Sequence, residues 1–176
     1  VGGMDDVRPF CTFGDINVYS DPVSEKSLRQ SLPYCFKEHL YPGVPKISLH
    51  TIHPHEELQI NELKIVPLRI MHDKLPILGF KIGKLAYITD MKTIPEEELD
   101  FLQDIDCLVV NALRFTNAHH SHMLVDEALA FARRTSAKRV FFTHMCHDIG
   151  LHEEVNKILP AGTQLAYDGL TVEVDV

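Results

Sequence analysis

The chain has 176 residues, enough for one domain with a full core and short for two. Hydrophobic residues make up 45% and charged residues 24%, an ordinary globular balance, and the longest apolar runs are strand-sized, which argues against a membrane-spanning helix. The net charge of −8 argues against a broad surface for nucleic acid, yet leaves room for a small phosphorylated substrate whose charge a metal ion can meet.

In chain order, Gly3 to Phe10 opens with acids and predicts a short helix, and Ile16 to Tyr19 a short strand. Asp21-Pro22 reads as an N-cap followed by proline at the first helical position, with the helix running to about Leu32. Tyr41-Pro42-Gly43-Val44-Pro45 is a loop by its proline and glycine. Strands are predicted at Lys46 to Ile52, Leu58 to Ile60 and Leu63 to Ile70, then a hairpin of Ile77 to Ile82 with Leu85 to Thr89 around Gly83-Lys84.

From Thr93 the period changes. Thr93-Ile94-Pro95-Glu96 fits a capping box ahead of a helix to Gln103. Cys107 to Val110 is a continuous apolar run suited to a strand buried on both faces. A helix from about Val125 to Arg134, a buried strand from Lys138 to Thr143, a helix from Gly150 to Leu159 and a final hairpin, Leu165 to Val174 around Asp168-Gly169, complete the chain. The pattern is a mixed α/β (α+β) protein, sheets covered by helices, forming a single domain over 1–176.

Four ligand-capable sites share one character. His72 follows the strand ending at Ile70, and Asp90 follows the strand ending at Thr89. His119, His120 and His122 lie between a buried strand and a helix, and His144 follows Val140 to Thr143, with His147 three residues on. Strand ends are where a rigid scaffold presents chemistry. Each residue alone has a plain structural reading: a strand cap for His72, a turn for Asp90, a solvated loop for the histidine tract, a core-boundary histidine for His144. Together, imidazoles and a carboxylate suit a divalent metal such as zinc or manganese. His53-Pro54-His55 reads as a loop tip. The four cysteines, Cys11, Cys35, Cys107 and Cys146, form no CxxC pair and read as free thiols of a reducing cytoplasm.

The order His72, Thr89-Asp90, His119-x-Ser121-His122 and Thr143-His144-x-x-His147 resembles the later motifs of the metallo-β-lactamase superfamily. The branch it is most similar to contains phosphodiesterases related to the carbon–phosphorus lyase accessory enzyme, which are themselves similar to ribonuclease Z. Gly2 to Phe10 looks like the sequence that follows that family's HxHxDH loop, and Tyr41 to Pro45 and Leu165 to Leu170 also look familiar. The resemblance covers nearly the whole chain.

It implies a four-layer αββα sandwich, N-terminally incomplete here, with two divalent metal ions, zinc or manganese, at one edge. His72 matches a metal-ligand histidine, Asp90 the bridging carboxylate and His144 the last metal-ligand histidine. His122 matches the catalytic-type histidine over the substrate phosphate, with His119 and His147 as supporting substrate-binding residues. There are two departures. No HxHxDH occurs in the chain, which opens Val1-Gly2-Gly3 with no initiator Met, so an upstream segment carrying further strands and the first metal loop is expected. Leu124 stands where relatives have Ser or Thr, so the following helix is expected to lack its side-chain N-cap.

The implied activity is a metal-dependent phosphodiesterase in which metal-activated hydroxide attacks a small or cyclic phosphate ester. The alternatives are another hydrolase on this scaffold, acting on a thioester, a lactone or a tRNA 3′ end, or a metal-free binding or scaffold module. The expected partner is a small phosphorylated substrate, without nucleic acid or membrane, in a cytoplasmic protein for which a homodimer is allowed.

Overall fold

The structure is a computed structural model that describes residues 3–39 and 41–175. The chain divides into two compact units that join between His53 and Pro54.

The first unit opens with a 3-10 helix, Met4–Phe13, longer and tighter than the helix expected over Gly3 to Phe10. Pro9 lies inside it and removes an amide that a continuous α-helix would need. Strand β1 (Ile16–Ser20) pairs in parallel with β2 (Ile47–Thr51), from Ile16 opposite Ile47 to Ser20 opposite Thr51. Helix α1 (Pro22–Ser31) lies between them in sequence, and Asp21 Oδ1 accepts from the amides of Val23 and Ser24 at 2.9 and 3.1 Å, with proline in the first turn. Leu32, Cys35 and Ile47 form this unit's core, with Val18 and Leu49 packed against it.

The second unit is built on one seven-stranded sheet in simple sequence order: β3 (Leu58–Ile60), β4 (Leu63–His72), β5 (Leu75–Ile82), β6 (Leu85–Ile88), β7 (Cys107–Asn111), β8 (Arg139–Thr143) and β9 (Thr163–Leu165). β3 to β6 form an antiparallel meander, whereas β6 to β9 run parallel. This change of direction decides where chemistry can sit. β4 and β6 each run antiparallel to β5, so they point the same way, and β7 and β8 run parallel to β6. The C-terminal ends of β4, β6, β7 and β8 therefore share one edge of the sheet.

The parallel strands are connected through helices α2 (Val125–Ala132) and α3 (His152–Ile158). Leu68, Ile70, Ile88, Leu108, Val110 and Phe142 are fully buried, and Val125, Ala128 and Phe131 of α2 pack into the same core. Side chains of this size each contribute about 1.5–3 kcal/mol on burial.

Two local expectations are corrected. Thr93 does not cap the helix that follows, which is a 3-10 segment, Glu96–Leu102, with no side-chain cap. Instead the Thr93 amide, which the Glu96 side chain would accept from in a capping box, donates to the Met71 carbonyl at 3.3 Å, the Thr93 carbonyl accepts from the Met71 amide at 2.9 Å, and Glu96 pairs with Arg134. The final hairpin also does not form. The turn is present, with Gly169 at φ 90° and the Leu170 amide bonded to the Tyr167 carbonyl, but no strand follows among the described residues. β9 already has β8 as its parallel partner, and near its end the tail gives its Asp175 carbonyl to the Lys84 amide at 2.8 Å.

Candidate metal centre

At the shared edge, two strands end in the same way. Asp90, shortly after β6, has φ 60°, and His144, directly after β8, has φ 57°. Neither is glycine, so each left-handed residue costs about 1–2 kcal/mol and needs its surroundings to hold it. The effect is to break the pleat and turn an Asp and a His out over the edge. His72 is the last residue of β4, and the left-handed Asp73 follows it at φ 56°.

The side chains converge. One oxygen of Asp90, Oδ1, lies 2.7 Å from His144 Nε2 and 3.1 Å from His122 Nε2. The His122 ring stacks on His144 with centroids 4.6 Å apart and meets the edge of His72 at 4.8 Å. Ligand-capable atoms of His72, Asp90 and His122 all lie within 4.8 Å of one another. Imidazole nitrogens and a carboxylate oxygen gathered this closely have the chemistry and spacing of a borderline divalent-ion site.

His119 is part of the same group. Its Nδ1 lies 3.0 Å from His122 Nδ1, and the buried Ser121 hydroxyl lies 3.2 Å from the first and 3.1 Å from the second. Ser121 thus fixes the two rings against each other. Burial pushes the His122 imidazole below the ordinary histidine range, with the Asp90 carboxylate opposing and His144 and His72 reinforcing the shift. His119 is held low for the same leading reason, with His120 and His122 adding to it. His120 packs beside His119. His147 stands apart: its side chain is 93% exposed, and its Nε2 lies 3.3 Å from Asp148 Oδ1.

The loop carrying His122 is tied down from both sides. Leu124, the N-cap residue of α2, has no side-chain acceptor, but its own amide donates to Glu127 Oε2 at 2.7 Å, so half of a capping box survives without Ser or Thr. Lys92, two residues after Asp90, donates to both Glu127 oxygens at 2.8 and 2.9 Å and to the His122 carbonyl at 3.2 Å. Asn111, fully buried at the end of β7, brackets the Met91 backbone. The sequence reading missed Lys92, Asn111 and Glu127. A polar residue closing the apolar run Cys107 to Val110 was the one signal for Asn111, and Lys92 carried none.

A separate cleft of about 310 Å³, lined by Glu57, Lys64, Lys81, Lys84, Asp104 and Asp175, carries charge of both signs. Its lysines are already paired, Lys64 with Glu57 and Lys81 and Lys84 with Asp104. Among the described residues, the convergence of imidazoles is confined to the C-terminal edge of the strands.

The comparisons with known proteins identify the fold family. Residues 1–145 match the profile of the β-lactamase superfamily domain. The chain belongs to that superfamily. Its fold follows a diphosphatase of the PhnP family, with a TM-score of 0.87 and 33% identity over 99% of this chain and 66% of that one. The short form of human tRNase Z shares the fold, with a TM-score of 0.69 at 14% identity over 99% of this chain and 73% of that one. A curated relative named octanoyltransferase, from Porphyromonas gingivalis, is 38% identical over 175 residues, which are 99% of this chain and 36% of that protein. The chain therefore spans about a third of the curated relative and just under two thirds of the diphosphatase. The resemblance read from the histidine and aspartate motifs holds, and the mixed α/β architecture is that of the metallo-β-lactamase fold.

Proposed function

We propose that this chain carries the later metal ligands and the catalytic histidine of a metal-dependent phosphodiesterase acting on a small or cyclic phosphate ester. The observation that carries the reading is the meeting of His122 and His144 on one oxygen of Asp90, beside His72, at the C-terminal edge of the sheet. The likeness to a PhnP-family diphosphatase supports phosphoryl over acyl chemistry.

In this reading His72, Asp90 and His144 hold the divalent centre, zinc or manganese. Bound there, such ions supply Lewis-acid polarisation of a phosphoryl oxygen and a water of lowered pKa. His122 is the proton or hydrogen-bond donor to the departing oxygen in this reading, through Nε2, which rests 3.1 Å from Asp90 Oδ1 and would leave that carboxylate to do so. The nitrogen facing His119 and Ser121 sets its ring orientation. His119 and the exposed His147 meet the rest of the substrate. No helix among the described residues is long and apolar enough to cross a membrane, and a cytoplasmic setting suits the four free thiols.

A second reading comes from the octanoyltransferase relative, whose name points to acyl rather than phosphoryl chemistry. Only 36% of that protein is matched, so its activity is not assigned to the shared part. A thioester substrate is the form this alternative takes here.

The test is metal content by elemental analysis after dialysis, followed by turnover of a model phosphodiester and a model acyl thioester. The proposal expects bound zinc or manganese, phosphodiester turnover, and a His122→Ala variant that keeps metal while losing about 100-fold or more in rate. Metal-free protein, or turnover of the thioester alone, overturns it.

A further inference from the structure

We infer that Asn111 is the positioning residue that sets the Asp90 turn, and through it the geometry of the whole cluster. This rests on the reading of Asp90 as a metal ligand.

The parallel ladder between β6 and β7 runs from Leu85 opposite Cys107 to Ile88 opposite Val110 and stops there. On its other side Asn111 continues the ladder with β8, opposite Thr143. Toward β6 the ladder goes no further, because the chain turns out at Asp90. The Asn111 side chain takes over the pairing. Its Oδ1 accepts from the Met91 amide at 2.8 Å, and its Nδ2 donates to the Met91 carbonyl at 2.9 Å. The amide side chain presents an acceptor oxygen and a donor N–H on the same side, as the C=O and N–H of one strand residue do, so it stands in for the missing strand. Asn111 is fully buried and Met91 is 1% exposed, so neither group has water as an alternative partner.

The segment is thus released at Asp90 and recaptured one residue later. Recapture at Met91 sends the next two residues to β4: the Lys92 amide donates to the Met71 carbonyl at 2.8 Å, and the Met71 amide to the Thr93 carbonyl at 2.9 Å. Met71 adjoins His72. The same segment presents the Lys92 side chain to the His122 carbonyl. The Asn111 side chain makes no hydrogen bond to His72, Asp90, His122 or His144, yet it holds the residue through which His72, Asp90 and His122 take their relative placement. Groups that orient ligands in this way characteristically change metal affinity by about 10–100-fold.

The experiment compares wild type with Asn111→Ala and with the milder Asn111→Ser. A control, Leu102→Ala, empties a fully buried position away from the edge. Two readouts are taken: amide hydrogen exchange at Met91 and Lys92, and zinc affinity by competition with a chromophoric chelator. In both Asn111 variants, exchange at Met91 and Lys92 should quicken by about tenfold or more relative to the rest of the sheet, and zinc affinity should fall by about tenfold or more. Leu102→Ala should lose stability while leaving both readouts near wild type. If Asn111→Ala does not fold, Asn111→Ser alone decides. Unchanged exchange at Met91 overturns the inference, as does wild-type zinc affinity in a variant whose turn has loosened. If wild type binds no zinc but the turn still loosens selectively, the metal reading falls and the positioning role of Asn111 stands.

Discussion

Lys92 offers the sharpest quantitative test, because one ammonium joins three parts of the site. It donates to both oxygens of Glu127 and to the His122 carbonyl. The ion pair is partly open to water, with side-chain exposures of 21% for Lys92 and 45% for Glu127, so its net value is about 0.5–1 kcal/mol. The bond to the His122 carbonyl has a charged donor but is 3.2 Å long, which places it near about 1–1.5 kcal/mol. Lys92→Met keeps the apolar stem and removes both, so it should destabilise by about 1.5–2.5 kcal/mol. Glu127→Gln keeps an acceptor for the Leu124 amide and loses only the ion pair, for about 0.5–1 kcal/mol. Glu127→Ala also loses the surviving half of the capping box, a further loss of about 1 kcal/mol.

The assay is denaturant unfolding followed by circular dichroism, since the chain has no Trp to report by fluorescence. A Lys92→Met and Glu127→Gln double-mutant cycle should return a coupling of about 0.5–1 kcal/mol. The pH dependence has a definite sign. Burial opposes ionisation of Glu127, but Lys92 and the Leu124 amide prevail and hold its carboxyl below the ordinary value of 4.5. A depressed carboxylate contributes stability above its unfolded pKa, and that contribution is lost as pH falls through the folded value. The gap between wild type and Glu127→Gln should therefore be full at neutral pH and close in acid. A Lys92→Met variant within about 0.3 kcal/mol of wild type, a coupling near zero, or a gap that survives in strong acid would each refute the reasoning.

Three further outcomes follow from individual contacts. Gly162 has φ 84°, and a Cβ there would sit 2.5 Å from the Lys138 carbonyl oxygen, so Gly162→Ala should cost more than about 2 kcal/mol in unfolding free energy. Glu98 is 1% exposed, and its carboxylate is held by His55 at 2.9 Å. His55→Ala should cost about 3 kcal/mol, and adding Glu98→Leu should recover part of it; a double variant no better than the single one would count against a stranded carboxylate. Asp21→Ala should remove the cap of α1 for about 1 kcal/mol, read by denaturation of the intact chain, whereas Asp21→Asn should lose little.

Much of the site is legible in the amino-acid sequence because its chemistry is carried by residue type at strand ends. His72, Asp90 and His144 each follow an apolar run, and the His119 to His122 tract stands out in the loop between a buried strand and a helix, where a rigid scaffold presents chemistry. The elements are legible for a related reason. Alternation marks β2, continuous apolarity marks β7 and β8, and Asp21-Pro22 marks the start of α1 by its capping chemistry. The errors fell where local chemistry had a distant competitor. Thr93 fits a capping box, yet its amide is taken by Met71 of β4. Leu165 to Val174 alternates like a hairpin, but β9 takes β8 as its partner.

The sequence by itself determined the residue types of the cluster, imidazoles and a carboxylate at strand ends and in the loop before α2, in an order that resembles a known superfamily. Only the tertiary structure decided that those ends share one edge, because that depends on β4 and β6 running the same way on either side of β5 and on β7 and β8 running parallel to β6. It also decided which residues hold the donors in place. Asn111 and Lys92 act across 20 and 30 or more residues of sequence, and no local pattern records a hydrogen bond made at that distance. The physical reason is that side-chain chemistry is local to a residue, whereas its orientation is set by the strands that pack beside it.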